Sequence, residues 1–160
     1  MHTLPPLSVE DTAQRQYAHL VDPVARDIAD VKRPAEGWIR TLRKALGMSA
    51  PQLARRLGVS KAAVYQAERQ EETGGVTLHY MERMAEALGG RFVYAIVPEE
   101  SVEAVLRDQA RAKARHLVGR AGGHMALERQ ALSETQMREE TDRLAADLLR
   151  DRPADFWDLP

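Results

Sequence analysis

Apolar side chains recur along this chain at spacings of three and four, the mark of amphipathic helices. Ser8 and Asp11 make an S-x-x-D start signal behind Pro5-Pro6, and Ala13, Tyr17, Leu20 and Val21 line one face of the helix it predicts. Asp22-Pro23 has the form of an N-cap followed by proline at the first helical position. A second short helix is therefore expected to run to about Val31, with Val24 and Ile28 inward, and to stop before Pro34. Between Glu36 and Leu46 the residues Trp38, Ile39, Leu42 and Leu46 keep helical spacing, and Gly47 ends the helix. Ser49 caps the next one, with Pro51 in its first turn and Leu53, Ala54 and Leu57 inward. Gly58 and Val59 make a turn, and Ser60 caps a helix reaching roughly Gln70. Past Gly74-Gly75, Thr77 starts a helix with Leu78, Met81, Met84, Ala85 and Leu88 inward, closed by Gly89-Gly90.

The period then changes. In "RFVYAIV", Arg91 to Val97, both alternating faces are apolar: Phe92, Tyr94 and Ile96 on one, Val93, Ala95 and Val97 on the other. A lone strand leaves half its backbone groups unpaired, and an apolar edge invites aggregation. The same strand from a second copy, paired about a two-fold axis, is the simplest remedy. Phe92, Val93, Tyr94, Ala95 and Ile96 are therefore read as a dimerisation strand, the alternative being pairing with another extended segment of the same chain.

Pro98, Glu99 and Glu100 open a further helix whose last turns carry Arg111, Lys113, Arg115 and His116, an order of charge that suits the helix dipole. "GRAGG", Gly119 to Gly123, reads as a linker. A long amphipathic helix is expected from about Met125 to Leu149, with Met125, Leu132, Met137, Leu144 and Leu148 among its apolar positions. The closing "DFWDLP" offers Phe156, Trp157 and Leu159 for docking, on this chain or on a partner.

Charge alters this picture more than composition does. The net charge of −1 hides an uneven distribution. From Lys32 to Gln70 stand Lys32, Arg33, Arg40, Arg43, Lys44, Arg55, Arg56, Lys61 and Arg69, opposed only by Glu36 and Glu68. From Glu134 to Asp158 eight acids face four arginines. A cationic segment of this kind points to a polyanionic partner.

Other classes are disfavoured. With 0 cysteines there is neither a disulfide framework nor a thiolate metal site, which fits a reducing cytoplasm. Neither a secretory leader nor a membrane span of ~20 apolar residues is present, so a soluble protein is expected. No phosphate-binding glycine loop and no G-x-S-x-G elbow occurs. His2, His19, His79, His116 and His124 lie scattered without ligand spacing. No catalysis, cofactor or metal is expected.

"QLARRLGVSKAAVYQAE", Gln52 to Glu68, concentrates the remaining chemistry. Two short helices joined by a tight turn, the second with a polar face, make a helix-turn-helix. Ala54 is small where the helices cross, Gly58 supplies a left-handed turn residue, and Val59 and Val64 peg the second helix to the first. Outward then fall Lys61, Ala62, Tyr65 and Gln66, beside Ala63. Lys61 suits guanine O6/N7 or phosphate, Gln66 suits adenine N6/N7, and Ala62 suits a thymine methyl. Ser49, Ser60, Arg55, Arg56 and Arg69 are placed for backbone contacts with double-stranded DNA.

Leu42-Arg43, "LGMS", the stretch just quoted and "AEALGG" together resemble the Cro/repressor-like (XRE) helix-turn-helix family over about Gly37 to Leu88. The resemblance implies a mainly α fold: a five-helix-type repressor-like core with an added β-strand and flanking N- and C-terminal helices. It also implies a structural ion pair between Arg43 and Glu68. Ala62 and Ala63 have little hydrogen-bonding reach, which leaves specificity to Lys61, Gln66 and DNA shape. Residues 1–33 would be a helical arm, 34–97 the DNA-binding domain with its dimerisation strand, and 98–160 a helical region for dimer or partner contacts. "GWIRTLRKALGMS", "VYAIVP", "MALERQ" and Trp157 further resemble the mobile mystery protein A family, whose members are typically encoded beside a Fic-domain protein. That resemblance implies an antitoxin-like role, alternative to a plain autorepressor acting as a homodimer. Thr135-x-x-x-Glu139 partly matches a Fic-inhibiting helix, but Glu140 follows where glycine or asparagine is required, and a solvated acidic face accounts for it.

Overall fold

A computed structural model describes residues 9–127 and 133–158. Ser8, Leu132 and Leu159, with the end of "MALERQ", lie outside the described residues. The described residues form seven helices in two compact units, one of residues 30–95, the other of residues up to Ala29 and from Ile96 onward.

The first unit holds the four helices read along the chain, where the resemblance implies a five-helix-type core: α2 (Trp38–Ala45), α3 (Ala50–Leu57), α4 (Lys61–Thr73) and α5 (Leu78–Ala87). Their starts follow the sequence. Ser49 and Gln52 form a reciprocal capping box, Ser60 Oγ accepts from the Ala63 N–H at 3.1 Å, and Thr77 Oγ1 accepts from the Tyr80 N–H at 3.2 Å. Gly58 ends α3 at φ +68°, a left-handed conformation in which a Cβ would be strained. The core joins Ile39 to Ala50, Leu53, Ala54, Val64, Ala67, Met84 and Leu88. Leu53, Val64 and Met84 are wholly buried, each contributing about 1.5–3 kcal/mol of transfer free energy. Leu78, expected inward, is half exposed, as are Trp38 and Leu46.

In the second unit α1 (Val9–Ile28) is one helix, not two. It continues through Pro23 although a proline inside a helix costs ~3 kcal/mol. Asp22 is no N-cap for a second helix, because its Oδ1 accepts the Val102 N–H at 2.9 Å. It thereby caps the start of α6 (Val102–Leu127), with Ser101 Oγ accepting the Ala104 N–H beside it. Packing against α6 offsets the proline and draws the N-terminal helix into this unit.

The expected linker at Gly119 to Gly123 is helical and belongs to α6. A Cβ on Gly122 would lie 3.4 Å from Met137 Cε, so the missing side chain makes room for α7 (Glu134–Asp151). That helix starts later than Met125, at a capping box of Ser133 and Gln136. Ala110 and Ala114 of α6 pack on Ala145 and Leu148 of α7, and Phe156 folds back onto them.

Residues 91–98 form no strand, which corrects the expected fold. Among the described residues no hydrogen bond reaches residues 91–98, and a strand requires a neighbour to supply its ladder. Phe92, Val93, Tyr94, Ala95 and Ile96 therefore stand without the pairing that would make them one. No described helix is long and apolar enough to cross a membrane.

Candidate nucleic-acid interface

Helix α4 has two unlike sides. Val64, Ala67, Glu68 and Glu71 are buried, while Lys61, Ala62, Tyr65, Gln66, Arg69 and Gln70 are exposed and Ala63 lies between. The turn from Gly58 to Ser60 aims the polar face outward, with Val59 packed against the core. Among the described residues no hydrogen bond or ion pair holds the side chains of Lys61, Tyr65, Gln66 or Arg69, so their reach is unspent.

The buried side is anchored by charge. Glu68, 0% exposed, receives Arg43 Nε on Oε1 at 2.6 Å and Arg43 Nη2 on Oε2 at 3.2 Å. Arg40 Nε adds a contact to Oε2 at 3.0 Å, and its Nη1 reaches Glu72 at 3.1 Å. Arg43 also donates to the Met48 carbonyl at 3.1 Å, tying the α2–α3 turn into the same network. Burial by itself raises the Glu68 carboxyl, but the hydrogen bonds and charges of Arg43 and Arg40 together outweigh it and hold the group below the usual carboxylate range. Arg43 and Glu68 thus form an ion pair on the buried side, with Arg40 and Glu72 joined to it.

Glu71 makes a second anchor that the sequence reading missed. Its Oε1 accepts the Trp38 N–H at 2.6 Å and its Oε2 the Ile39 N–H at 3.0 Å, so a carboxylate on α4 caps the start of α2. The residue at the N-cap, Gly37, has no side chain to do this. Arg33 closes this same C-terminal end of α4, donating to the Glu71 and Glu72 carbonyls at 3.1 and 3.3 Å. One signal was available: a helix opened by glycine leaves amides that some distant acceptor must satisfy, and Glu71 shares a face with Glu68.

These anchors reduce the cationic segment. Arg33, Arg40 and Arg43 are engaged as described, and Lys44 pairs with Glu36 at 2.5 Å. Arg56, proposed for a phosphate contact, donates through Nε to the Ala87 carbonyl at 2.6 Å, at the end of α5. Lys32, Arg55, Lys61 and Arg69 are left exposed without such partners among the described residues, and the last three lie on or beside the outer face of the motif. Ser49 and Ser60 spend their hydroxyls as helix caps, though both remain at the surface.

Residues 39–94, just over a third of the chain, match the family model described as Helix-turn-helix. The match runs from Ile39 of α2 through α5 to Tyr94, and it supports a DNA-binding regulator of the XRE type with double-stranded DNA as partner. No curated protein and no solved structure matches the chain.

Proposed function

We propose that this protein is a sequence-specific repressor of its own operon, acting in the cytoplasm as a homodimer that lays two copies of α4 on a pseudo-palindromic operator. The observation that carries the reading is the division of α4: one side fixed by Val64, Ala67, Glu68 and Glu71, the other presenting Lys61, Ala62, Tyr65, Gln66 and Arg69 unengaged. A rigid helix with a free polar face is what major-groove readout needs. Lys61 and Gln66 are assigned to bases, Arg55 and Arg69 to phosphates, and half-sites would lie ~34 Å apart or a multiple of it. No catalytic step or cofactor enters this reading.

Fluorescence anisotropy on DNA from upstream of the protein's own coding region, against a shuffled control at two salt concentrations, tests it. Tight binding to the native DNA alone, weakening steeply with salt, is the expected result. Equal binding to both, or none, would reject it.

A second reading makes the C-terminal helices an antitoxin module for a Fic-domain partner, with DNA binding as autoregulation. It is supported by the resemblance to the mobile mystery protein A family and by Trp157, which stays 58% exposed beside the buried Phe156. Co-purification with the neighbouring gene product, lost on Trp157→Ala while operator binding survives, is its expected signature.

A further inference from the structure

We propose that residues 91–99 pair antiparallel with the same residues of a second copy in one particular register, with Ala95 facing Ala95 on the two-fold axis. This pairing presupposes the dimer proposed above and specifies its surface. Val93 is 72%, Tyr94 67% and Ile96 91% exposed, and no hydrogen bond reaches residues 91–98 among the described residues. The segment therefore presents apolar side chains and open backbone groups together, which is what strand addition consumes. Phe92 and Tyr94 already lie on one side, their rings stacked with centroids 5.8 Å apart.

Symmetry restricts the choice of register. Opposed residues of an antiparallel pair point to the same face, and side chains alternate along the strand. Opposed residues therefore differ by an even number, and the axis must pass through a residue. An axis at Tyr94 would set Arg91 against Val97 and the two tyrosine rings against each other. An axis at Ile96 would set Val93 against Glu99 and Phe92 against Glu100. An axis at Ala95 sets Arg91 against Glu99 at both ends, Val93 against Val97, and Tyr94 against Ile96 twice. Of these three, that register alone sets Arg91 against a carboxylate, and it places aromatic against β-branched residues, a stabilising cross-strand pair. Ala95 leaves room at the centre. Pro98, without an N–H, falls near the end of the ladder, where the loss matters least.

The absence of cysteine makes the register directly readable. In full-length protein, Ala95→Cys should form a disulfide-linked dimer under mild oxidation, because opposed Cα atoms lie about 4.5–5.5 Å apart, within disulfide range. Val93→Cys should not, since its twin would lie ~13 Å further along the pair. Arg91→Glu and Glu99→Arg should each raise the dimer dissociation constant about tenfold, measured by sedimentation, and the double variant should return it to within about twofold of the parent. A dimer in which Val93→Cys cross-links and Ala95→Cys does not, or in which the double variant fails to recover, overturns the register and leaves the dimer standing. A parent protein that sediments as a monomer both free and on operator DNA removes the dimer and the register together.

Discussion

The Glu71 carboxylate occupies the space that any side chain on residue 37 would need. A Cβ at Gly37 would come within 2.7 Å of Glu71 Oε2, and the backbone there has φ +80°. Glycine and glutamate form one device: the first opens the start of α2, and the second enters from α4 to satisfy two amides. Helix α4 is thereby fastened at its C-terminal end to the start of α2. Gly37→Ala combines a left-handed strain with a displaced carboxylate and should cost about 1–3 kcal/mol by urea unfolding. Glu71→Ala should cost about 1–3 kcal/mol through its orphaned amides. Near-parental stability in both would show that the contact contributes nothing.

Removing Arg43 leaves the Glu68 charge buried with only Arg40 against it. Arg43→Ala should therefore cost about 3–5 kcal/mol, the range for breaking a buried pair. Because the folded Glu68 carboxyl lies below its ordinary value, its contribution is fully present above the unfolded pKa. It is lost as the pH falls from the ordinary glutamate range, about 4.3, through the lower folded value. Glu68→Gln should flatten that acid limb in a series of unfolding curves between pH 3 and 7; an unchanged limb would assign it to other carboxylates.

Arginines 55 and 56 are adjacent but engaged differently, and their variants should separate. Arg55→Ala and Arg69→Ala should weaken binding on every DNA sequence and shrink the salt slope by about one each. Arg56→Ala should leave the slope alone and lower stability, since its guanidinium holds the Ala87 carbonyl. Lys61→Ala and Gln66→Ala should instead each reduce discrimination between operator and control by ~1–3 kcal/mol. Anisotropy titrations at several salt concentrations, paired with thermal melts, distinguish the three patterns.

The C-terminal tail should depend on Phe156 far more than on its aromatic neighbour. Phe156 is 2% exposed, with its carbonyl taken by Gln109 Nε2 at 2.8 Å. Lys113, itself buried, holds the Asp155 carbonyl and carboxylate, and this hydrogen bond keeps the Asp155 carboxyl below its usual range. Phe156→Ala should cost about 3–5 kcal/mol and expose the tail to proteolysis. Trp157→Ala should change stability by less than about 0.5 kcal/mol. Equal losses in the two would mean that Trp157 packs more than its exposure indicates.

The helix-turn-helix was legible in the chain because its information is local. Ser49, Ser60 and Thr77 announce helix starts by their own capping chemistry, Gly58 marks a left-handed turn, and the spacing of Leu53, Ala54 and Val64 defines a buried face within a few residues. The outward set from Lys61 to Arg69 follows from that phase. "SETQ", Ser133 to Gln136, was equally legible as a capping box and would have placed the start of α7, but the apolar positions around it suggested a longer helix. The breaks expected at Pro23 and at Gly119 to Gly123 failed for a different reason. Proline and glycine weaken a helix by amounts that packing against another element can offset, and that packing is not written nearby.

The sequence by itself determined which helix presents a polar face and which residues stand on it, since periodicity and capping act over a single turn. Only the tertiary structure decided which cations are free for DNA. Arg33, Arg40, Arg43 and Arg56 look alike with Arg55 and Arg69 in a count of charge. They differ because the fold brings Glu68, Glu71, Glu72 and the end of α5 to the first four and leaves the last two at the surface. A charge is spent or available according to what long-range packing sets beside it.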